Sequence, residues 1–372
     1  MSPPVGEAFG EAVWSVEADI DYTDVDLDRP TSMNNGLLDH RLHVAGDRIV
    51  ALVDDATRLQ AWTADGEEAW SHPITSDVSS PWPTGQIRWM NETVAIVEDR
   101  EGEGSGLDKD TVTTHLTLLS LDDGSVVAEA DFGGWVLAEY GLAFGPETRE
   151  ASPGEGFVVV AEDGSQRVVP ADLSTATLRG VVDDVAVWDV HETLGDYYTV
   201  SEKWNARTAE LDARTPIFIE SVDQARGLLM TDAAAFDVHT GERRFDLPSC
   251  HRHSHTSPLV HSPGGEYGVW DNNWTSTTAH RCVGEAEQRG VTLTAVDDDG
   301  TAYGLVIGSD LNTHVTGDDY DYEFVTVPAD GDPQVTAWPE GATPPRGIVE
   351  GGLAIHWHPD EGVITANPII KD

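Results

Sequence analysis

Lysine is almost missing from this chain. Lys109, Lys203 and Lys371 are the whole supply, and the 21 lysines and arginines together face 67 aspartates and glutamates. The formal net charge of −46 surrounds the molecule with a negative field that repels nucleic acid and anionic lipid, so neither is expected as a partner. Such acidity reads first as solvation in a salty or extracellular medium, ahead of attraction for a cationic ligand. No apolar run approaches the ~18 residues of a membrane-spanning helix. No stretch sustains apolar spacing at the helical period either, so almost no helix is expected.

Cysteine is equally scarce. Cys250 and Cys282 are the only two, and no Cys-x-x-Cys motif occurs. An even count is what an oxidised extracytoplasmic domain keeps, so a Cys250–Cys282 disulfide is the expectation, with two buried free thiols as the alternative. No signal peptide is present. Met1-Ser2-Pro3-Pro4 reads as a start placed after a removed leader or anchor, which points to a secreted or membrane-anchored, extracytoplasmic protein. Gly-x-Ser-x-Gly, His-Glu-x-x-His and Walker motifs are absent. With 67 carboxylates, no catalytic pair can be nominated from sequence.

What is present is glycine (36), proline (20) and tryptophan (12), the materials of short strands, many turns and indole packing between sheets. Residues 40–72 show the pattern most clearly. Leu42 to Val44 is a short apolar run, residues 45–48 have turn chemistry, and Ile49-Val50-Ala51-Leu52-Val53 is a strand covered on both faces. Residues 54–57 turn the chain into the alternating Arg58-Leu59-Gln60-Ala61-Trp62. Asp65-Gly66 then turns it into a last strand ending at Trp70. Four strands in about thirty residues make one propeller blade.

The segments G-D-R-I-V-A-L, L-Q-A-W and D-G-E-E-A-W of this stretch resemble the repeat of the pyrroloquinoline-quinone-like (PQQ-like) propeller family. A-A-A-F-D-V-H-T-G-E-R-R-F, residues 233–245, is the clearest second copy. The resemblance implies a β-propeller of four-stranded antiparallel blades. The family's quinone-dependent dehydrogenases carry a vicinal Cys-Cys pair and are much longer. This chain has no such pair, so the fold carries over and the quinone cofactor does not. A non-dehydrogenase member of the secreted or lipoprotein type is expected.

Further repeats fall at about residues 85–132, 134–173, 178–211, 217–248, 265–282, 291–339 and 347–370, with second-strand centres stepping by about 36 to 49 residues. All of 1–372 is therefore expected to be one closed propeller domain. Eight blades are favoured and seven are the alternative, because CVGEAEQRGV in the sixth repeat is poor strand material. Residues 12–18, with Trp14, are expected to pair with the C-terminal blade and remove an exposed edge. Glu101 to Gly106 has the glycines of a phosphate loop without its Lys or helix, and reads as a flexible surface loop.

Candidate site residues cluster at Cys250-His251-Arg252-His253-Ser254-His255, followed by Trp270, Trp274, His280 and Cys282. On an extended strand His251, His253 and His255 share a face, and imidazoles there are weak candidates for Zn²⁺ or Cu²⁺. Neighbours two apart are separated by about 7 Å, too far for all three to share one ion without a bend. A disulfide-braced loop is the plainer reading. His356-Trp357-His358 repeats the spacing and reads as a blade strand whose Trp packs between sheets. Aspartates at residues 19–28, 297–299 and 318–321 could meet Ca²⁺, but they read as linker and turns.

The function expected is a monomeric, non-catalytic scaffold that binds a protein or small ligand at the cell envelope. Its functional face would be built from the insertions at 99–110, 191–205 and 251–282, with His251, Arg252, His253, His255, Trp270 and Trp274 as the binding surface. The alternative is a hydrolase, lyase or metal-binding propeller using channel carboxylates or the His251/His253/His255 cluster. No cofactor is predicted.

Overall fold

The computed structural model describes residues 5–20, 41–54, 57–74, 85–90, 92–102, 111–133, 136–137, 141–145, 156–169, 176–182, 185–192, 196–203, 207–210, 219–223, 225–231, 234–247, 259–270, 273–283, 290–307, 322–337, 339 and 342–371. Among them every regular element is a strand. The strands form eight four-stranded antiparallel sheets, numbered here one to eight in chain order from residue 42. This is the all-β, four-stranded blade architecture of a β-propeller. Seven sheets take consecutive strands in order. In sheet eight, Trp14–Glu17 is the outer strand against Val363–Pro368, in the register Trp14↔Ala366 to Glu17↔Val363. The expected closing strand at 12–18 is thus found.

Sheet one shows why the sequence folds this way. Its strands are Leu42–Ala45, Arg48–Val53, Arg58–Thr63 and Glu68–Pro73. Ile49 to Val53 are all buried, as an uninterrupted β-branched run requires. Gly46 and Gly66 take the left-handed conformation at two of the turns, with φ of 58° and 80°. Asp54, at φ 56°, serves the third. Its carbonyl accepts from the Thr57 hydroxyl at 2.7 Å and its carboxylate accepts from Arg58 Nε at 2.7 Å.

The chain divides into two compact units, residues 1–75 with 248–372 and residues 76–247. The first holds sheets one, six, seven and eight. Between sheets eight and one, Ile49, Ala51, Val53 and Trp62 meet Val349, Ile355, Trp357 and Ile364. Trp14 crosses the same boundary. Its indole N–H donates to Ala64 O at 2.8 Å, and a Cβ at Gly66 would lie 2.6 Å from its ring. Between sheets six and seven, Val269 and Trp274 pack on Val291, Leu293 and Val325.

The second unit holds sheets two to five. Leu116, Leu118, Phe132 and Phe144 form its best-defined core, and the two Phe rings stack at 4.1 Å. The turn of sheet three docks on sheet two, where Glu162 Oε2 accepts from the Glu92 amide at 2.8 Å.

Two expectations are corrected. Glu101 and Gly102 are not loop, because Thr93–Gly102 pairs with Thr111–Ser120 to its end. Residues 103–110 lie outside the described residues. Most of 191–205 is not an insertion, because Val185–Glu192 and Asp196–Lys203 form one long hairpin with Glu192↔Asp196 at its tip. β-branched and aromatic residues in DYYTVSEK extend the ladder where length suggested a loop. The sixth sheet takes only Cys282 from CVGEAEQRGV, and Val260–His261, Tyr267–Trp270, Asn273–Ser276 and His280–Cys282 make its four strands.

Candidate functional site

The stretch singled out in the sequence folds as the stem of sheet six. Cys250, His251, Arg252, His253 and His255 lie outside the described residues, and with Cys250 so does the Cys250–Cys282 pairing. Cys282 itself ends the fourth strand, opposite Asn273.

Trp270 and Trp274 are each only 6 % exposed, so they are framework and not the open binding surface expected of them. Trp274 pairs with Val269 and faces sheet seven, where its indole N–H donates to Gly300 O at 2.8 Å. The Arg281 guanidinium lies 5.1 Å from the Trp274 ring centroid, and it donates to Gly331 O at 2.9 Å and to Pro328 O. Trp270 packs 5.8 Å from the His280 ring. His280 Nε2 bonds Asn273 Oδ1 at 2.9 Å, and burial pushes its pKa down to about 4. A Trp on a strand reads in sequence equally as an interface anchor or as inter-sheet packing. Only the neighbouring sheet decides between them.

A second group lies in sheet eight. His356 and His358 are 0 % and 1 % exposed, with Trp357 buried on the opposite face, as the alternation predicts. His356 Nδ1 is 2.9 Å from Thr343 O, which can only accept, so Nδ1 carries the proton and Nε2 is a buried lone pair without a partner. His358 Nε2 bonds Thr365 Oγ1 at 3.0 Å. Thr365 donates to Asn367 Oδ1 at 2.8 Å, and Asn367 Nδ2 donates to Gly10 O at 2.9 Å. A hydrogen-bond relay therefore runs from a buried imidazole to the N-terminal segment. Burial drives the His356 pKa down to about 3, with His358 and Arg346 adding to the fall against the Thr343 bond, and drives His358 down to about 4. Phe9 seals this group, with its ring 4.8 Å from His356 and 5.3 Å from Tyr303.

Next to it, Tyr303 donates to Asp297 Oδ2 at 3.2 Å, and burial followed by Asp297 raises the phenol's pKa. Asp297 Oδ1 accepts the amides of Asp299 and Thr301 at 3.0 and 2.9 Å. These carboxylates shape a turn, as the sequence suggests. The acidic stretches at 19–28 and 318–321 lie outside the described residues, apart from Asp19 and Ile20.

A third group was missed by sequence reasoning. The first strands of the four sheets in the first unit are Leu42–Ala45, Val260–His261, Gly290–Val296 and Pro345–Val349. Each is the end strand of its sheet. They lie one against the next in the order six, seven, eight, one. Val44 sits over Gly347, whose added Cβ would be 2.6 Å away. These strands carry His43, His261 and Arg346, all half-buried, and buried Arg41 directly precedes the first. Burial, then His261, lowers the His43 pKa to about 4. The available signal was position in the repeat, since each of these residues falls in or beside a blade's opening strand.

In the second unit His115 Nδ1 lies 2.6 Å from Asp131 Oδ1, a cross-strand pair on sheet two. Among the described residues no group of three or more His, Cys, Asp or Glu is placed to hold a metal ion.

No protein-family model matches the chain. No curated protein matches it either. Solved structures similar to it include the acylaminoacyl peptidase of Pyrococcus horikoshii, at 6% identity and a TM-score of 0.42, over 81% of this chain and 45% of that one. The chain thus spans less than half the peptidase's length. The β-propeller domain of the Trilobed protease from Pyrococcus furiosus is similar at 10% identity and a TM-score of 0.39, over 85% and 88% of the two chains. The WD40 domain of SCAP from fission yeast is similar at 9% identity and a TM-score of 0.40, over 88% and 93%. None of these likenesses assigns an activity or a partner.

Proposed function

We propose that this chain is a non-catalytic, extracytoplasmic propeller of the PQQ-like repeat type that binds a protein or small ligand at the cell envelope. One observation carries the reading. Trp270, Trp274 and Arg281 are locked into the packing of sheets six and seven, whose strands follow residues 251–255 in the chain. Connections rooted in a rigid scaffold reduce the ordering cost of binding. His251, Arg252, His253 and His255 remain the residues through which a partner is engaged, and a Cys250–Cys282 disulfide would brace them.

Affinity capture from an envelope fraction tests this. Reproducible partners should be retained by the unaltered chain and lost with Arg252→Ala combined with His253→Ala. Capture unaffected by those changes would remove the assignment. Intact mass before and after reduction tests the disulfide, which requires the gain of two hydrogens. Stoichiometric zinc or copper in the purified protein, lost in His253→Ala, would favour a metal-dependent enzyme instead.

A further inference from the structure

We propose that residues 5–18 form an acid-released latch: when His356 and His358 take up protons, the segment lifts from sheet eight and leaves Val363–Pro368 as a free edge. The partners of the two buried rings fix their tautomers. Thr343 O can only accept, so His356 carries its proton on Nδ1 and Nε2 is bare. Asn367 uses Nδ2 on Gly10 O, so its Oδ1 takes the Thr365 hydroxyl proton. Thr365 Oγ1 then accepts from His358 Nε2, and His358 Nδ1 is bare as well. Both bare nitrogens are buried with no hydrogen-bond partner among the described residues. A second proton on either ring makes a buried cation whose new N–H has no acceptor. Such a proton is tolerated only when the nitrogen reaches water.

The N-terminal segment is what keeps water away. The Phe9 ring lies 4.8 Å from that of His356, and Gly10 O ends the series of bonds that begins at His358. Besides Trp14 on Ala64 O, the segment is held by a few backbone bonds. Gly10, Val13 and Ala18 donate to the carbonyls of Pro368, Ala366 and Gly362 at 2.8, 2.8 and 2.9 Å. Trp14–Glu17 is the terminal strand of its sheet, so it can leave while the other three strands stay paired. Nearby charges do not neutralise a protonated ring. Burial most of all, then His358 and Arg346, disfavours a charge on His356 against the Thr343 bond. Asp297, from sheet seven, is engaged by Tyr303 and by the amides of its own turn, and Glu7, Glu11 and Glu17 on the segment are exposed. A released histidine takes up its proton near 6.5, so acid favours the lifted state, by about tenfold per pH unit for each proton gained.

This goes beyond the scaffold reading and is independent of it, since it concerns sheet eight and not residues 251–255. Amide exchange of the full chain between pH 7 and pH 5, corrected for the pH dependence of the intrinsic rate, decides it. Protection of Gly10, Val13 and Ala18 should fall by about tenfold per unit below about pH 6.5. Val160 and Ser262, whose amides are bonded to Leu142 O and Tyr267 O within sheets three and six, should hold theirs. His356→Phe combined with His358→Phe should flatten the fall. No loss at the first three amides, equal loss at all five, or the same slope in the double variant overturns the proposal. If the double variant fails to fold, the ring resonances of His356 and His358 in the unaltered protein decide. Rings that stay neutral for as long as Val13 stays protected are expected, and either ring taking up a proton beneath a protected Val13 would equally overturn it.

Discussion

At the scale of single residues, Gly66 and Gly46 separate two costs that usually come together. Both have positive φ, but a Cβ at Gly46 meets nothing within 4 Å while one at Gly66 drives into Trp14. Gly46→Ala should cost about 1 kcal/mol of left-handed strain. Gly66→Ala should cost a further 1 kcal/mol or more, roughly what displacing a packed indole requires. Urea unfolding midpoints of the two variants measure the difference, and equal losses would deny that Trp14 seats on this turn. The turn itself was legible as Asp-Gly. Its tenant was not, because Trp14 comes from the other end of the repeat series.

At the scale of the element, sheet eight predicts a pH dependence. An unfolded histidine takes up a proton near its usual 6.5, whereas folded His356 and His358 resist protonation down to about 3 and about 4. Between those limits the unfolded chain binds more protons, so stability falls as pH drops from about 6.5 toward 4. Thermal melting across that window should show a shallower fall in His358→Phe than in the unaltered chain. Parallel curves would contradict the burial. Thr365→Val removes the acceptor of His358 and the donor to Asn367, and should cost about 1 to 3 kcal/mol. The loss should be greatest at Trp14–Glu17, where amide exchange should quicken. The alternation of His356, Trp357 and His358 was readable as a buried strand. The relay was not, since Thr343, Thr365 and Asn367 become neighbours only through sheet register.

At the scale of the whole molecule, the charge of −46 opposes compaction. Raising NaCl from about 0.01 M to about 0.5 M shortens the screening length from about 30 Å to a few ångströms and should raise Tm. A flat or falling Tm would mean that self-repulsion does not limit stability here. The repeat pattern was legible at this scale because one blade is a local object. Strand order, turn chemistry and the two-residue period all lie within about fifty residues. The candidate site was less legible. The Trp, His and Arg of residues 250–282 stood out by composition, yet composition cannot tell an exposed indole from one seated under the next sheet.

The amino-acid sequence by itself determined the all-β class, the four-stranded unit and the closing strand at Trp14, because period, turn residues and strand propensity act over neighbouring positions. Only the tertiary structure decided which side of each strand meets another sheet. That choice buried Trp270 and Trp274, and joined His358 to Gly10 through two side chains. Such contacts come from residues far apart in the chain, and their energies depend on packing and desolvation that no local pattern encodes.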